Sequence, residues 1–207
     1  MDWNQAFVPL LEKYHGRPHP LDWGQNRYHL VVMVLLSAQD SDRHINEVTK
    51  PLFERFPTME HLARASEGDL LALLRSVQGA DRKVPWLLKL AAMVGTDEAI
   101  PENKSGLMKL PGIGSKSANV ILREFRRPAE GIIVDLHVLR VAPRLGLSNA
   151  KDGAKMEKDL MPLFDPEGWG EVGMAMSFLG RETCRPTRPH CPECVMNAVC
   201  AYPDKTK

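Results

Sequence analysis

Cysteine is missing from the first 183 of the 207 residues, and the four present, Cys184, Cys191, Cys194 and Cys200, fall within 17 residues of one another. That distribution excludes a disulfide framework along the chain and points first to one local metal site. Excess charge is also missing. With 27 Lys+Arg against 26 Asp+Glu the net charge is +1, so any surface for a polyanion must come from local clustering. The longest apolar run, Leu30 to Leu36, is too short to cross a bilayer. The opening Met1-Asp2-Trp3-Asn4-Gln5-Ala6-Phe7 has no basic run followed by an apolar core, so no signal peptide is expected. These absences predict a soluble, intracellular protein with no membrane segment. Sustained apolar/polar alternation and hairpin signals are lacking too, which argues against a β fold. What remains is ordinary globular composition, 26% charged and 43% apolar, with length for one large domain or two small ones.

Helical periodicity fills most of the chain, and the fold class predicted is all-α with short connections. Helices are expected over Asp2–Tyr14, Arg27–Ala38 and Asp42–Phe56, the last stopped by Pro57. Ser66-Glu67-Gly68-Asp69 resembles a capping box opening a helix through Arg75. Another helix is expected over Val84–Val94, with Pro85 in its first turn. Two short helices should flank Leu110-Pro111-Gly112-Ile113-Gly114, the second running from Ser115 to about Arg126. Val134–Ala142, closed by Pro143, Lys151–Phe164 and Gly168–Gly180 complete the helical part, and His15–Gly24 reads as a loop.

The segment Leu110-Pro111-Gly112-Ile113-Gly114-Ser115-Lys116 carries the most chemistry. Pro111 ends one helix, and the two glycines allow a tight turn and close backbone approach to a ligand. The next helix then presents its first N–H groups and positive dipole end, a natural phosphate site. A plain helix–turn–helix corner is the alternative. Residues 109 to 145 hold seven basic residues (Lys109, Lys116, Arg123, Arg126, Arg127, Arg140, Arg144) and three acids (Glu124, Glu130, Asp135), a local +4 in a chain of +1. Phosphate contact would use that charge, and a solvated basic face would carry it equally well. Lys116 falls in the first helical turn, where the dipole disfavours a cation. Partial burial would add to this and leave an amine able to form a Schiff base. A surface lysine on phosphate is the other reading. Asp135, 19 residues on and preceded by Ile132-Ile133-Val134, is placed to cap the following helix or to set an ionised carboxylate against a growing positive charge on a sugar.

The cysteine spacing is C-x6-C-x2-C-x5-C. Four thiolates can hold a single Zn²⁺ or an iron–sulfur cubane, and spacing does not choose between them. Arg185, Arg188 and His190 lie between the first two cysteines, where they could reach phosphates or simply face solvent.

Leu110 to Val120 (LPGIGSKSANV), Val134 to Val141 (VDLHVLRV) and Leu35 to Gln39 (LLSAQ) together resemble the helix-hairpin-helix DNA glycosylases, in the endonuclease III branch that keeps a lysine inside the motif. The resemblance runs from about Leu30 to Cys200. It implies a two-lobed helical fold, with a six-helix lobe over residues 20–129, a second lobe of residues 1–19 and 130–207 holding a [4Fe–4S] cluster on the four cysteines, and DNA in a cleft between them. It implies catalysis by Lys116 and Asp135. DNA contacts are implied at Gln39, which fills space near the lesion, and at Leu110, Gly112, Gly114, Ser115, Arg140, Arg185 and Arg188. The activity implied is excision of oxidised or ring-saturated pyrimidines followed by β-elimination, with damaged or abasic duplex DNA as partner and a monomer as the working form. A related glycosylase with another base preference and a non-enzymatic DNA-binding relative are the competing classes. One departure stands out: where the family often places a bulky apolar wedge, this chain has Gly79, with Gln78 beside it as a substitute. Slower or narrower excision is expected to follow.

Overall fold

The computed structural model describes residues 1–206, and among them every regular element is helical. The all-α expectation is therefore met. Two units emerge, one formed by residues 18–127 and the other by residues 1–17 with 128–207.

The chain opens with α1 (Trp3–Ala6) and α2 (Val8–Lys13). The single first helix expected is thus split at Phe7, where Pro9 occupies the first turn of α2. In the 18–127 unit follow α3 (Arg27–Leu36), α4 (Asp42–Arg55), α5 (Met59–Ala63), α6 (Glu67–Leu74), α7 (Ala80–Val94), α8 (Lys104–Leu107) and α9 (Ser115–Glu124). The other unit adds α10 (Val138–Leu145), α11 (Gly153–Leu160) and α12 (Trp169–Glu182).

Side-chain caps explain most of the starts. Asp2, Asn26, Ser41, Thr58, Ser66, Asn103 and Asp152 each accept from a first-turn amide of the helix that follows. At Ser66 the box is altered: Asp69 returns its carboxylate to the Ser66 hydroxyl, at 2.7 Å. In the 18–127 unit only α7 and α9 begin on glycine, Gly79 and Gly114, with no side-chain cap.

Three expected boundaries are corrected. Helix α7 starts at Ala80, four residues early, because Gly79 turns the chain with φ +71°. Pro85 therefore sits inside the helix, and the bond it omits would have gone to the carbonyl of exposed Asp81. Pro143 does not close α10, which continues to Leu145 and ends on left-handed Gly146 (φ +83°). The segment Val134–His137 is not helical, so α10 starts at Val138.

Each unit is organised around one helix buried on all sides. In α3, residues 30–36 are 0–3% exposed and pack against α4, α7 and α9. At about 1.5–3 kcal/mol for each large apolar side chain, this helix dominates the core of its unit. In α12, Val172 to Gly180 are all buried, against α2 and α10. Lys83 is the buried charge inside the first core, alongside the buried polar residues Thr49 and Asn119. It is 2% exposed, and its ammonium donates to the carbonyls of Leu36 (2.7 Å) and Ala38 (2.6 Å), the open end of α3. Burial lowers its proton affinity below that of an ordinary lysine, while nearby Asp40 opposes the change.

His29 gives the first unit a pH signature. Its ring stacks on Phe53 at 3.8 Å. Burial lowers its pKa below 6.5, against smaller opposing effects of Asp97 and the Trp23 carbonyl. A folded-state pKa below the unfolded one means that the stabilising contribution is complete above about pH 6.5 and is lost as pH falls through the folded value. Denaturant unfolding at pH 7.5 and pH 5 should show a loss on acidification that His29→Phe, which keeps the stack, reduces. Equal acid sensitivity in the two proteins would remove this role.

Candidate active site and cysteine loop

In the 18–127 unit, Leu110-Pro111-Gly112-Ile113 forms a type II turn. The Ile113 amide donates to the Leu110 carbonyl at 3.2 Å, Pro111 takes the second position, and Gly112 supplies φ +78° at the third. Leu110 and Ile113 are buried and anchor the turn. A Cβ on Gly112 would lie 3.0 Å from the Trp86 ring and 3.2 Å from Leu35, so this backbone rests directly on α7 and α3. Gly114 differs: its φ of −97° suits any residue, and a Cβ there would meet nothing within 4 Å. Protein packing does not demand that glycine, whereas a ligand against the start of α9 would. Trp86, Lys89, Met93, Met108 and Lys109 border an open groove of about 600 Å³ along this turn.

Lys116 is the second residue of α9. Ala118 and Leu122, one turn apart, face the core, and Lys116 lies on the opposite side, exposed. The expected partial burial is not found.

Gln39 ends α3's exit loop with φ +62°, and both it and Gln78 are exposed. One carboxylate joins their two loops. Asp40 accepts from the amides of Gln78 (3.1 Å) and Ser41 (2.8 Å) and contacts His44 Nδ1 at 2.8 Å, while His44 Nε2 meets Ser76 Oγ at 3.0 Å. Burial works against the Asp40 charge, but these partners outweigh it and hold the carboxyl below its usual range.

In the other unit, the buried extended run Ile132–Val134 delivers Asp135. Its Oδ1 accepts from the amides of His137 and Val138, both at 2.9 Å, so the expected capping of α10 is present. Its Oδ2 accepts from the Ser177 hydroxyl at 2.6 Å, with the Arg181 guanidinium at 3.9 Å. Leu136, at the tip of this turn, is 80% exposed. Neither Ser177 nor Leu136 was singled out from sequence. A serine among apolar residues carries no signal of a partner 42 positions away.

The cysteine loop is tied to α10 by two arginines. Arg140 donates to the carbonyls of Cys184 (3.1 Å) and Gly180 (2.8 Å) and contacts His137 Nδ1. Arg144 donates to Cys184 Sγ (3.3 Å) and to the carbonyls of Arg185 and Pro186, and its guanidinium covers the Tyr202 ring. Arg140 thus spends most of its donors on the fold. Exposed Arg185 and Arg188, with His137, Arg181 and His190, line a cationic groove of about 550 Å³. All four cysteines are half-buried around a single cavity with Val141, Arg144, Leu145 and Leu179. Burial raises the Cys194 thiol's pKa, and the other three thiols add to the effect. Among the described residues, no three Cys, His, Asp or Glu side chains converge closely enough to hold one ion.

The family model of HhH-GPD superfamily base excision DNA repair proteins matches residues 32–166. Endonuclease III of Synechocystis sp. is 33% identical over 95% of this chain and 90% of its own length, and that of Bacillus subtilis is 36% identical over 84% and 81%. The chain belongs to the endonuclease III family of the HhH-GPD superfamily. Among solved endonuclease III structures, a trapped covalent intermediate with DNA superposes with a TM-score of 0.84 at 33% identity, covering 95% of this chain and 92% of that one. A non-covalent endonuclease III–DNA complex gives 0.84 at 32%, over 97% and 95%. A thermostable thymine-DNA glycosylase, 18% identical with a TM-score of 0.82, shares the fold. As an endonuclease III family member, the chain has its turn motif inside the matched segment and its cysteine loop beyond it. No helix among the described residues is long and apolar enough to cross a membrane.

Proposed function

We propose that this protein is a bifunctional DNA glycosylase and abasic-site lyase acting on oxidised or ring-saturated pyrimidines in duplex DNA. The observation that carries the reading is Lys116 in the first turn of a glycine-led helix, directly after a type II turn with open space at Gly114. Similarity to an endonuclease III trapped covalently on DNA supports it.

The damaged nucleotide must leave the stack for its sugar to be reached. Backbone amides at Gly112, Gly114 and Ser115 hold an adjacent phosphate, with Arg185 and Arg188 as further phosphate contacts. The Lys116 amine, after giving a proton to solvent, attacks C1′; the C1′–base bond breaks and the departing base takes a proton from water. Asp135, with donors on both oxygens, acts as an anion opposite the positive charge growing on the sugar; that set of donors favours this role over proton acceptance. Ring opening leaves a Schiff base on Lys116, and loss of the C2′ proton expels the 3′ phosphate by β-elimination. Cys184, Cys191, Cys194 and Cys200 would hold a [4Fe–4S] cluster. Four thiols around one cavity supply the all-thiolate donor set such a cluster takes. Such a group would supply rigidity to the loop carrying Arg185 and Arg188. Borohydride treatment of protein mixed with a thymine glycol duplex tests the reading: a covalent adduct supports it, and its absence sinks it.

Gly79 also has an account. At φ +71° a side chain of any size is strained, so a bulky wedge is costly there. Gln78, exposed and fixed through its amide to Asp40, takes the wedge's place in this reading. Gln78→Ala should lower kcat/KM on thymine glycol duplexes about tenfold, close to 1.4 kcal/mol of transition-state stabilisation. Unchanged turnover would show that the glutamine is idle.

A further inference from the structure

We propose that Ser177 is a positioning residue for Asp135, locking its second carboxylate oxygen so that the group serves as a fixed anion during excision. The inference rests on the activity proposed above. Ser177 is 1% exposed, on the wholly buried part of α12, between Met176 and Phe178. Its hydroxyl donates to Asp135 Oδ2 at 2.6 Å, and its oxygen accepts from Arg181 Nε at 3.4 Å. The polarity runs one way, from guanidinium to hydroxyl to carboxylate. Arg181 also faces Oδ2 directly at 3.9 Å.

The first carboxylate oxygen is already committed to the amides of His137 and Val138. Those two bonds fix one oxygen but leave the plane of the group free to turn about them. A third donor from a separate helix removes that freedom. With α10 and α12 both contributing, the carboxylate is triangulated, and the cost of orienting it is met on folding rather than during the reaction. The charged groups facing it are Arg181 from α12 and Arg140 from α10, with the His137 imidazole held on Arg140. Ser177 is the neutral element through which Arg181 reaches Oδ2.

Removing the hydroxyl withdraws a donor from the ionised carboxylate and restores its rotation. Single-turnover excision from a thymine glycol duplex by Ser177→Ala should be about tenfold slower with duplex Kd unchanged. The acid limb of its pH–rate profile should move to higher pH. Ser177→Cys, similar in size with a weaker donor, should fall between. Trapping at a preformed abasic site starts from an aldehyde and bypasses the excision transition state, so it should be much less affected. Arg181→Gln should move the acid limb in the same direction, which keeps the test open if the alanine variant does not fold. Wild-type rate and an unmoved acid limb in Ser177→Ala would overturn the inference. So would equal slowing of excision and abasic trapping with an unmoved limb, the mark of a merely structural role. A wild-type protein that traps no DNA would instead bring down the parent reading, and the wild-type lane alone tells these failures apart.

Discussion

Lys116→Ala should yield no borohydride-trapped adduct on thymine glycol or abasic duplexes, and its excision rate should fall by at least about three orders of magnitude. The prediction is this large because the proposed mechanism makes this amine the bond-forming atom in both half-reactions. Stability should hardly change, since Lys116 is exposed and lies on the face of α9 turned away from the core. Asp135→Asn provides the contrast. The amide oxygen keeps its acceptor role toward His137 and Val138, while the charge is lost. Excision should then drop by roughly two to three orders of magnitude, with abasic-site trapping retained in part. If Lys116→Ala traps DNA as well as wild type, another residue is the nucleophile and the assignment fails. Retained duplex affinity in both variants, measured by anisotropy, would show that the losses are chemical.

Gly173→Ala should be the most damaging of the glycine-to-alanine changes. A Cβ there would stand 2.5 Å from the Ile133 carbonyl oxygen, 2.7 Å from its nitrogen and 3.0 Å from its Cα. These are backbone atoms and cannot rotate aside. To admit the methyl, α12 must lift from the extended run that delivers Asp135 two residues later. A cost of about 3 kcal/mol or more is expected, read as a fall of roughly 6–12 °C in Tm. Gly114→Ala is the matched control. Its new Cβ meets nothing within 4 Å and its φ is ordinary, so Tm should stay within about 2 °C while duplex binding weakens. A Gly173→Ala protein as stable as wild type would mean that the contact between α12 and Ile133 is looser than described.

Much of this was legible along the chain because it is local. A polar cap is read one turn from the helix it starts, and Leu110-Pro111-Gly112-Ile113 names its own turn type through the proline and the glycine with positive φ. The cysteines announce a site by proximity in sequence. Non-local closure was hidden. Ser177 meets Asp135 only because α12 packs on the run before α10. Lys83 carried no signal of burial along the chain, because that burial depends on the carbonyls that end α3. Arg140 counted toward a basic surface, yet its geometry turns it inward to Gly180 and Cys184. Pro143 read as a helix stop because the Gly146 signal three residues on was passed over. The wedge comparison depended on family resemblance, and only the backbone angle at Gly79 explains why a larger residue is disfavoured there.

The inward reach of Arg140 and Arg144 has a practical consequence for anyone preparing the protein. These two side chains clamp the peptide carbonyls around the first cysteine to the same helix whose leading amides hold Asp135. If the four thiols hold the proposed cluster, a batch grown short of iron should lose order first at that clamp, leaving the α3 core and its turn intact. Such material would pass as folded on a gel filtration column and still report a depressed specific activity. With that proposed cluster, rates would be best normalised to iron content rather than to protein mass.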